Sequence, residues 1–129
     1  MATNIFELFT LIGYRDAPGS DDTVIVELPV ADHVVNTNGG LQGGLLATLV
    51  DTAAGKLAMR HVPSGHSVVT SDLSLRYLRP ITAGAARAVA RMVHSGKRSM
   101  VIQVEITAAP GDDLAVIATV SFAKILARG

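Results

Sequence analysis

The sequence predicts an α+β domain in which one antiparallel sheet wraps a single central helix. Three observations carry this reading. Good helix formers dominate from Leu45 to His61 and are apolar on nearly every face, as a buried helix requires. Segments 66–78, 85–94, 98–108 and 114–126 are rich in Val, Ile, Thr and Leu and carry little helical signal. The turns between them, at Pro80 to Gly84, Ser95 to Lys97 and Pro110 to Asp113, are too short for the crossovers that parallel neighbours need.

The earlier elements follow in order. Ile5, Leu8, Phe9 and Ile12 recur at helical spacing, with Leu11 beside them, so residues 3–14 read as a short amphipathic N-terminal helix. Residues 15–22, with Pro18, Gly19 and three aspartates, read as a turn-rich connector. Val24, Val26, Leu28 and Val30 alternate, which predicts a strand ending near Pro29. A polar, glycine-rich loop spans 31–44, and Pro63 and Gly65 stop the long helix. The last two strands are apolar on both faces: Met100, Ile102, Val104 and Ile106 alternate with Val101, and Val116, Val120 and Phe122 with Ile117 and Ile125. One face packs on the helix, and the other expects a partner surface.

The 129 residues fit one domain, 1–129, large enough to bury a core without disulfides or metal. Hydrophobic residues at 49% against 17% charged exclude a disordered chain, and the apolar excess points to a subunit interface. Eleven basic residues balance eleven acidic ones, which argues against a nucleic-acid partner. The absence of cysteine excludes thiol catalysis and thiolate metal sites and suits a reducing cytosol. The first apolar stretch, Ile5 to Ile12, contains Glu7 and lacks a preceding basic region. The longest uncharged stretch, Val34 to Val50, is broken by Asn36, Asn38 and four glycines, so no membrane span is expected. These features predict a cytoplasmic protein.

Asp51 is the first candidate for chemistry. Its neighbours at i±3 and i±4 are Thr48, Ala54, Ala47 and Gly55, so no cation on that helix pairs with it. Burying an unpaired carboxylate is costly and often marks function; a carboxylate reaching a solvent gap or a hydrogen-bonding loop is the plainer reading. Gly39, Gly40, Gly43 and Gly44 lead into the same helix, where unpaired N–H groups could meet a developing oxyanion. A plain flexible loop is the alternative there. Gly43 and Asp51 lie about 12 Å apart along a helix at 1.5 Å per residue, so one helix cannot bring both to one carbonyl. Two antiparallel helices across a two-fold axis can, which places any active site at a homodimer interface.

Other constellations are weak. Leu45 stands where a P-loop needs lysine, GxGxxG is missing, and no GxSxG elbow supports a serine hydrolase. His33, His61, His66 and His94 are scattered, so no metal site is expected. Arg76, Arg79, Arg87, Arg91, Lys97 and Arg98 read either as phosphate contacts or as a solvated sheet edge.

Residues Asn36 to Gly44, followed by Leu45 to Asp51, resemble the signature of hotdog-fold acyl-CoA thioesterases of the phenylacetic-acid-degradation type. That signature is N-x-x-G-x-x-H-G-G followed by a helix bearing Asp or Glu eight residues beyond the first glycine of the pair. Thr70 to Pro80, with its Tyr-Leu-Arg-Pro ending, resembles the family's next strand, and the Gly96-Lys97-Arg98 turn also fits. The resemblance covers about residues 20–126. It implies a hotdog fold, a dimer as minimal unit and often a homotetramer built as a dimer of dimers. It also implies an acyl-CoA substrate and no cofactor besides the CoA of that substrate.

Carried over, Gly43 offers its N–H to the thioester oxygen, and Asp51 of the facing subunit acts as base on water or as nucleophile. Asn36 positions water or substrate, and Thr70 orients Asp51. Gln42 and Gly44 line the substrate site, and Arg79, Lys97 and Arg98 contact the CoA phosphates. One position departs from the pattern: Gln42 stands where the family has histidine, and glutamine cannot titrate near neutral pH. This departure keeps open a non-catalytic acyl-CoA-binding or regulatory hotdog protein. A hotdog dehydratase or hydratase is a weaker rival, because no histidine lies in the loop-to-helix region beyond His33.

Overall fold

The computed structural model describes residues 2–128. In order, it contains helix α1 (Ile5–Ile12), strands β1 (Arg15–Ser20) and β2 (Thr23–Pro29), a 3₁₀ turn (Asp32–Val34) and helix α2 (Gly43–Met59). Strands β3 (His66–Tyr77), β4 (Ala85–Ser95), β5 (Ser99–Ala109) and β6 (Asp113–Leu126) complete it. The six strands form one antiparallel sheet in the order β1-β2-β4-β5-β6-β3. This is the expected α+β architecture, with the sheet wrapped around α2, which packs against β2 through β6.

Burial explains why α2 sits at the centre. Leu46, Leu49, Val50, Ala53, Ala54, Leu57 and Ala58 recur at i, i+3 and i+4 and are all buried. They meet the inner sheet face, whose alternate residues Val26, Leu28, Met100, Ile102, Val104, Ile106, Val116 and Val120 are also buried. On β4 the inward residues Ala86, Ala88 and Ala90 are small, which leaves room for the helix. The opposite side of α2, around Thr48, Asp51, Thr52 and Gly55, is only partly covered.

Two expectations need correction. The supposed connector at 15–22 contains strand β1, paired antiparallel with β2 through Arg15↔Glu27, Asp16↔Val26 and Ala17↔Ile25. An edge strand needs only one row of backbone hydrogen bonds, so Pro18 and Gly19 are tolerated where its register slips between Ala17 and Ser20. Arg60 fixes the following turn by donating to the Ser20 carbonyl at 2.9 Å and the Thr23 carbonyl at 3.3 Å. The second apolar face expected on β5 and β6 is mixed. Gln103, Glu105, Thr119 and Ser121 share it with Val101 and Ile117, because the inner face takes most of the large aliphatics.

Helix α1 is well terminated but buries no residue. Asn4 Oδ1 accepts the Glu7 amide at 2.9 Å, and Gly13 ends the helix in the left-handed region at φ 116°. Glu7 in turn accepts from the amide and hydroxyl of Thr3, which lowers its pKa. The helix is held at its end, where His33 Nε2 contacts the Leu11 and Ile12 carbonyls at 3.0 and 2.8 Å. Leu49 lies at the middle of the helix–sheet contact and is fully buried. Leu49→Ala is expected to cost about 2–5 kcal/mol of stability, read as a lower midpoint in urea unfolding with an unchanged slope.

Candidate active site

The first turn of α2 is built to leave two amides free. Gln42 is its N-cap, with extended backbone at φ −65° and ψ 132°, and its Oε1 accepts the Leu45 amide at 2.8 Å. The Gln42 carbonyl also accepts the Leu45 and Leu46 amides, at 3.0 and 3.1 Å. The amides of Gly43 and Gly44 donate to no group among the described residues. A Cβ at Gly44 would lie 3.0 Å from Gln42 Oε1, so glycine there lets the cap fold back.

The preceding loop is fixed by its own backbone. Asn36 Oδ1 accepts the Asn38 and Gly40 amides at 2.9 and 3.2 Å, and the Gln42 amide donates to the Val34 carbonyl at 2.9 Å. Asn36 therefore spends its carbonyl oxygen on bracing the loop, which leaves its Nδ2 group as the side-chain donor. The Leu41 amide joins the loop to the segment after β3 through the Ile81 carbonyl, at 2.9 Å.

Three hydroxyls donate to three successive carbonyls of this turn. Tyr77, at the end of β3, bonds Gly43 at 2.6 Å; Thr48 bonds Gly44 at 3.1 Å; and Tyr14 bonds Leu45 at 2.6 Å. Burial pushes the Tyr14 phenol up to about 12, against a smaller lowering by the Thr48 hydroxyl, and also raises Tyr77. Both phenols therefore remain protonated donors at neutral pH. Tyr77 was absent from the site residues inferred above. It opens the Tyr-Leu-Arg-Pro stretch noted in the sequence, but its partner is a backbone carbonyl 34 positions away, which that stretch does not reveal, although the glycine at 43 that admits its ring was visible.

Asp51 lies two turns further along α2, partly covered, and the Thr70 hydroxyl donates to its Oδ1 at 2.8 Å. Thr70 sits immediately before the bulge at which the β3–β6 register shifts, between Thr70 and Asp72. Asp51 pairs with no cation among the described residues.

The cationic candidates separate into two groups. Arg79 follows β3 at the Gly43 end and meets Asp113 at 3.7 Å. Lys97 and Arg98 lie in the β4–β5 turn, where the Arg98 carbonyl accepts the Lys124 amide at 2.9 Å. Lys124 pairs with Val68 near the start of β3, so this turn is at the opposite end of the strand. At about 3.3 Å per residue, Val68 and Arg79 are about 36 Å apart along the extended chain. One protomer does not bring Arg79 together with Lys97 and Arg98. Arg87 and Arg91 lie on the outer sheet face, Arg87 3.6 Å from Glu27. Among the described residues no three His, Asp or Glu side chains converge as metal ligands, and no helix is long and apolar enough to cross a membrane.

Residues 38–120 match the model of the thioesterase superfamily. A Halobacterium salinarum relative, provisionally named an esterase, is 32% identical over 105 residues, covering 77% of this chain and 68% of that one. A Bacillus halodurans protein crystallised with CoA is 34% identical, with a TM-score of 0.85 over 94% of this chain and 80% of its own. A thioesterase from Haemophilus influenzae shares the fold at a TM-score of 0.87 and 22% identity, over 92% of this chain and 82% of that one. The match spans the glycine loop, α2 and most of the sheet, and with the hotdog architecture it establishes that the chain belongs to the thioesterase superfamily.

Proposed function

We propose that the protein hydrolyses acyl-CoA thioesters, as in the phenylacetic-acid-degradation type, at two equivalent sites shared between the subunits of a homodimer. The observation that carries this reading is the pair of free amides at the start of α2, set two helical turns from the Thr70-bound Asp51. The water-activating and oxyanion-binding groups are both present, but on one chain they are too far apart.

A two-fold pairing of β3 edges closes that gap. Strand β3 ends the sheet, and residues 69–74 along it are exposed, including Val69 and Leu73. Such an edge calls for a partner. An antiparallel register that sets Tyr77 opposite Thr70 of the second subunit also sets Arg79 opposite its Val68, because both pairs sum to the same position number. The helices then run antiparallel about Ala47, with Gly43 facing Asp51 of the other subunit. Arg79 of one subunit joins Lys97 and Arg98 of the other at one end, a cationic patch suited to the phosphates of CoA. Partly covered α2 residues without bulk, such as Gly55, allow the approach.

In the reaction, the Gly43 N–H receives the carbonyl oxygen of the thioester. Asp51 removes a proton from water, whose oxygen attacks the carbonyl carbon. The tetrahedral oxyanion collapses, the C–S bond breaks, and CoA leaves as thiolate and takes up a proton; the products are the free acid and CoA. Gln42 fits this scheme as a brace, since a cap needs an acceptor oxygen and no titratable proton. The Nδ2 group of Asn36 is available to position water or substrate. Water, carboxylate and amides suffice for the chemistry, with CoA entering as part of the substrate.

Asp51→Asn is expected to lower acyl-CoA turnover by about 10²–10⁴-fold in a thiol-release assay while sedimentation still shows a dimer. Gly43→Pro deletes the amide at a helix position where proline is tolerated, after a residue already extended, and is expected to be similarly inactive. Subunits of the two variants, mixed and reassociated, regain about a quarter of wild-type activity if each site takes one group from each chain. No recovery from reassociated subunits would sink the shared site. Acyl-CoA binding without turnover by the wild type would instead identify a binding protein. A single turnover in ¹⁸O-water puts label in the product acid if Asp51 is a base, whereas label in Asp51 itself requires a nucleophile whose acyl anhydride water cleaves at the Asp51 carbonyl. Gln42→Ala is expected to lose about 1 kcal/mol of stability in thermal unfolding, together with part of the turnover.

A further inference from the structure

Each free amide in the first turn of α2 shares its peptide unit with a particular carbonyl. The Gly43 N–H belongs to the peptide whose carbonyl is that of Gln42, which already accepts the Leu45 and Leu46 amides. The Gly44 N–H belongs to the peptide whose carbonyl is that of Gly43, and this oxygen accepts the Tyr77 hydroxyl at 2.6 Å. Withdrawing electron density from a peptide oxygen makes the N–H on the other side of the same bond a stronger donor. Thr48 and Tyr14 make comparable bonds to the Gly44 and Leu45 carbonyls. The amides in those peptides, on Leu45 and Leu46, are already spent on Gln42. Of the three hydroxyls, Tyr77 alone acts on a peptide whose N–H is open to a ligand.

We propose that Tyr77 is a positioning residue that polarises the Gly43–Gly44 peptide, so that the Gly44 N–H serves as a second, strengthened donor to the oxyanion. This rests on the thioesterase reading for its kinetic consequence, though not for its spectroscopic one. The geometry ties the two residues closely. Carbons and the hydroxyl oxygen of Tyr77 lie 3.6–3.7 Å from where a Gly43 Cβ would stand, so the ring rests against the glycine whose carbonyl it binds. The side chain is about half exposed and its hydroxyl is the group that matters, so Tyr77→Phe removes the bond while keeping the contact.

An oxyanion donor is worth about 10²–10³-fold in turnover, and a neighbouring bond strengthens a donor by about 10–30%. Tyr77→Phe is therefore expected to lower kcat by about two- to eight-fold, with KM within about two-fold and an unchanged dimer. Tyr14→Phe serves as the matched control. It deletes an equally short phenol-to-carbonyl bond in the same turn, and any loss of stability it causes should come without the kcat change. Amide resonances provide the second measurement: the Gly44 ¹⁵N shift should move in Tyr77→Phe by more than that of Gly43, and should stay near its place in Tyr14→Phe. An unmoved Gly44 resonance overturns the proposal, and so does an effect confined to KM or one matched by Tyr14→Phe. If wild type releases no thiol from any acyl-CoA, the thioesterase reading fails, while the Gly44 resonance still decides whether Tyr77 polarises the peptide.

Discussion

Burial of α2 in the concave face of the sheet is the constraint on which the rest of the molecule depends. Its inward stripe, from Leu46 to Ala58, is covered by alternate residues of five strands, and the large fully buried aliphatics of the sheet, such as Leu28, Ile102 and Ile106, face that contact. The helix is thereby fixed along its whole length, and the candidate groups at its start and middle are fixed with it. The start cannot slide relative to β3, because Tyr77 and the Leu41–Ile81 bond fasten it. The middle cannot rotate, because turning Asp51 inward would expose Leu49, Val50 and Ala53. A rigid scaffold of this kind can hold a carboxylate and a pair of amides at set positions without any loop having to close.

The same burial creates the separation that the proposed dimer would close. A helix covered on one side leaves the other side, with Thr48, Asp51, Thr52 and Gly55, partly open next to the free β3 edge. Two features that would be liabilities in a lone domain thus lie side by side: a free strand edge carrying Val69 and Leu73, and a carboxylate without a cation, with Thr70 as its hydroxyl partner. In the proposed dimer, one two-fold operation covers both. It also joins the cationic residues, since Arg79 and the Lys97–Arg98 turn occupy opposite ends of β3.

Much of this was legible in the sequence, because strong periodicities and turn residues mark elements that pack locally. The central helix, the four long strands and their hairpins are set by apolar spacing and by Pro and Gly punctuation, and the free amides by glycines entering a helix. Strand β1 was not legible. Its pairing is a property of the backbone of β2, and the residues that made it look like a turn, Pro18 and Gly19, sit where an edge strand tolerates them. The mixed outer face of β5 was hard to read for a different reason. Val101 interrupts an otherwise clear alternation with Gln103 and Glu105, and a single apolar residue among polar ones does not distinguish a packed face from a solvated one. The placement of Arg79 against Lys97 depends on sheet order, which local sequence does not encode.

Gln42, the departure from the motif, serves here as the cap of α2. Histidine at this position offers a titratable ring; glutamine offers an uncharged acceptor and an amide NH₂. The structure uses the acceptor to cap the Leu45 amide, and with the Gln42 carbonyl taking Leu45 and Leu46, the third and fourth amides of the helix are satisfied. The first and second, on Gly43 and Gly44, are the two left open. A helix of this length must leave its first amides to outside partners. Which of them remain for a ligand is decided by the reach of the cap, and a capping oxygen that reaches only the third residue leaves the donors adjacent. The two N–H groups that could grip one oxygen are thus free because Gln42 does not bind them, so the geometry of the proposed oxyanion site is a property of the cap as much as of the glycines.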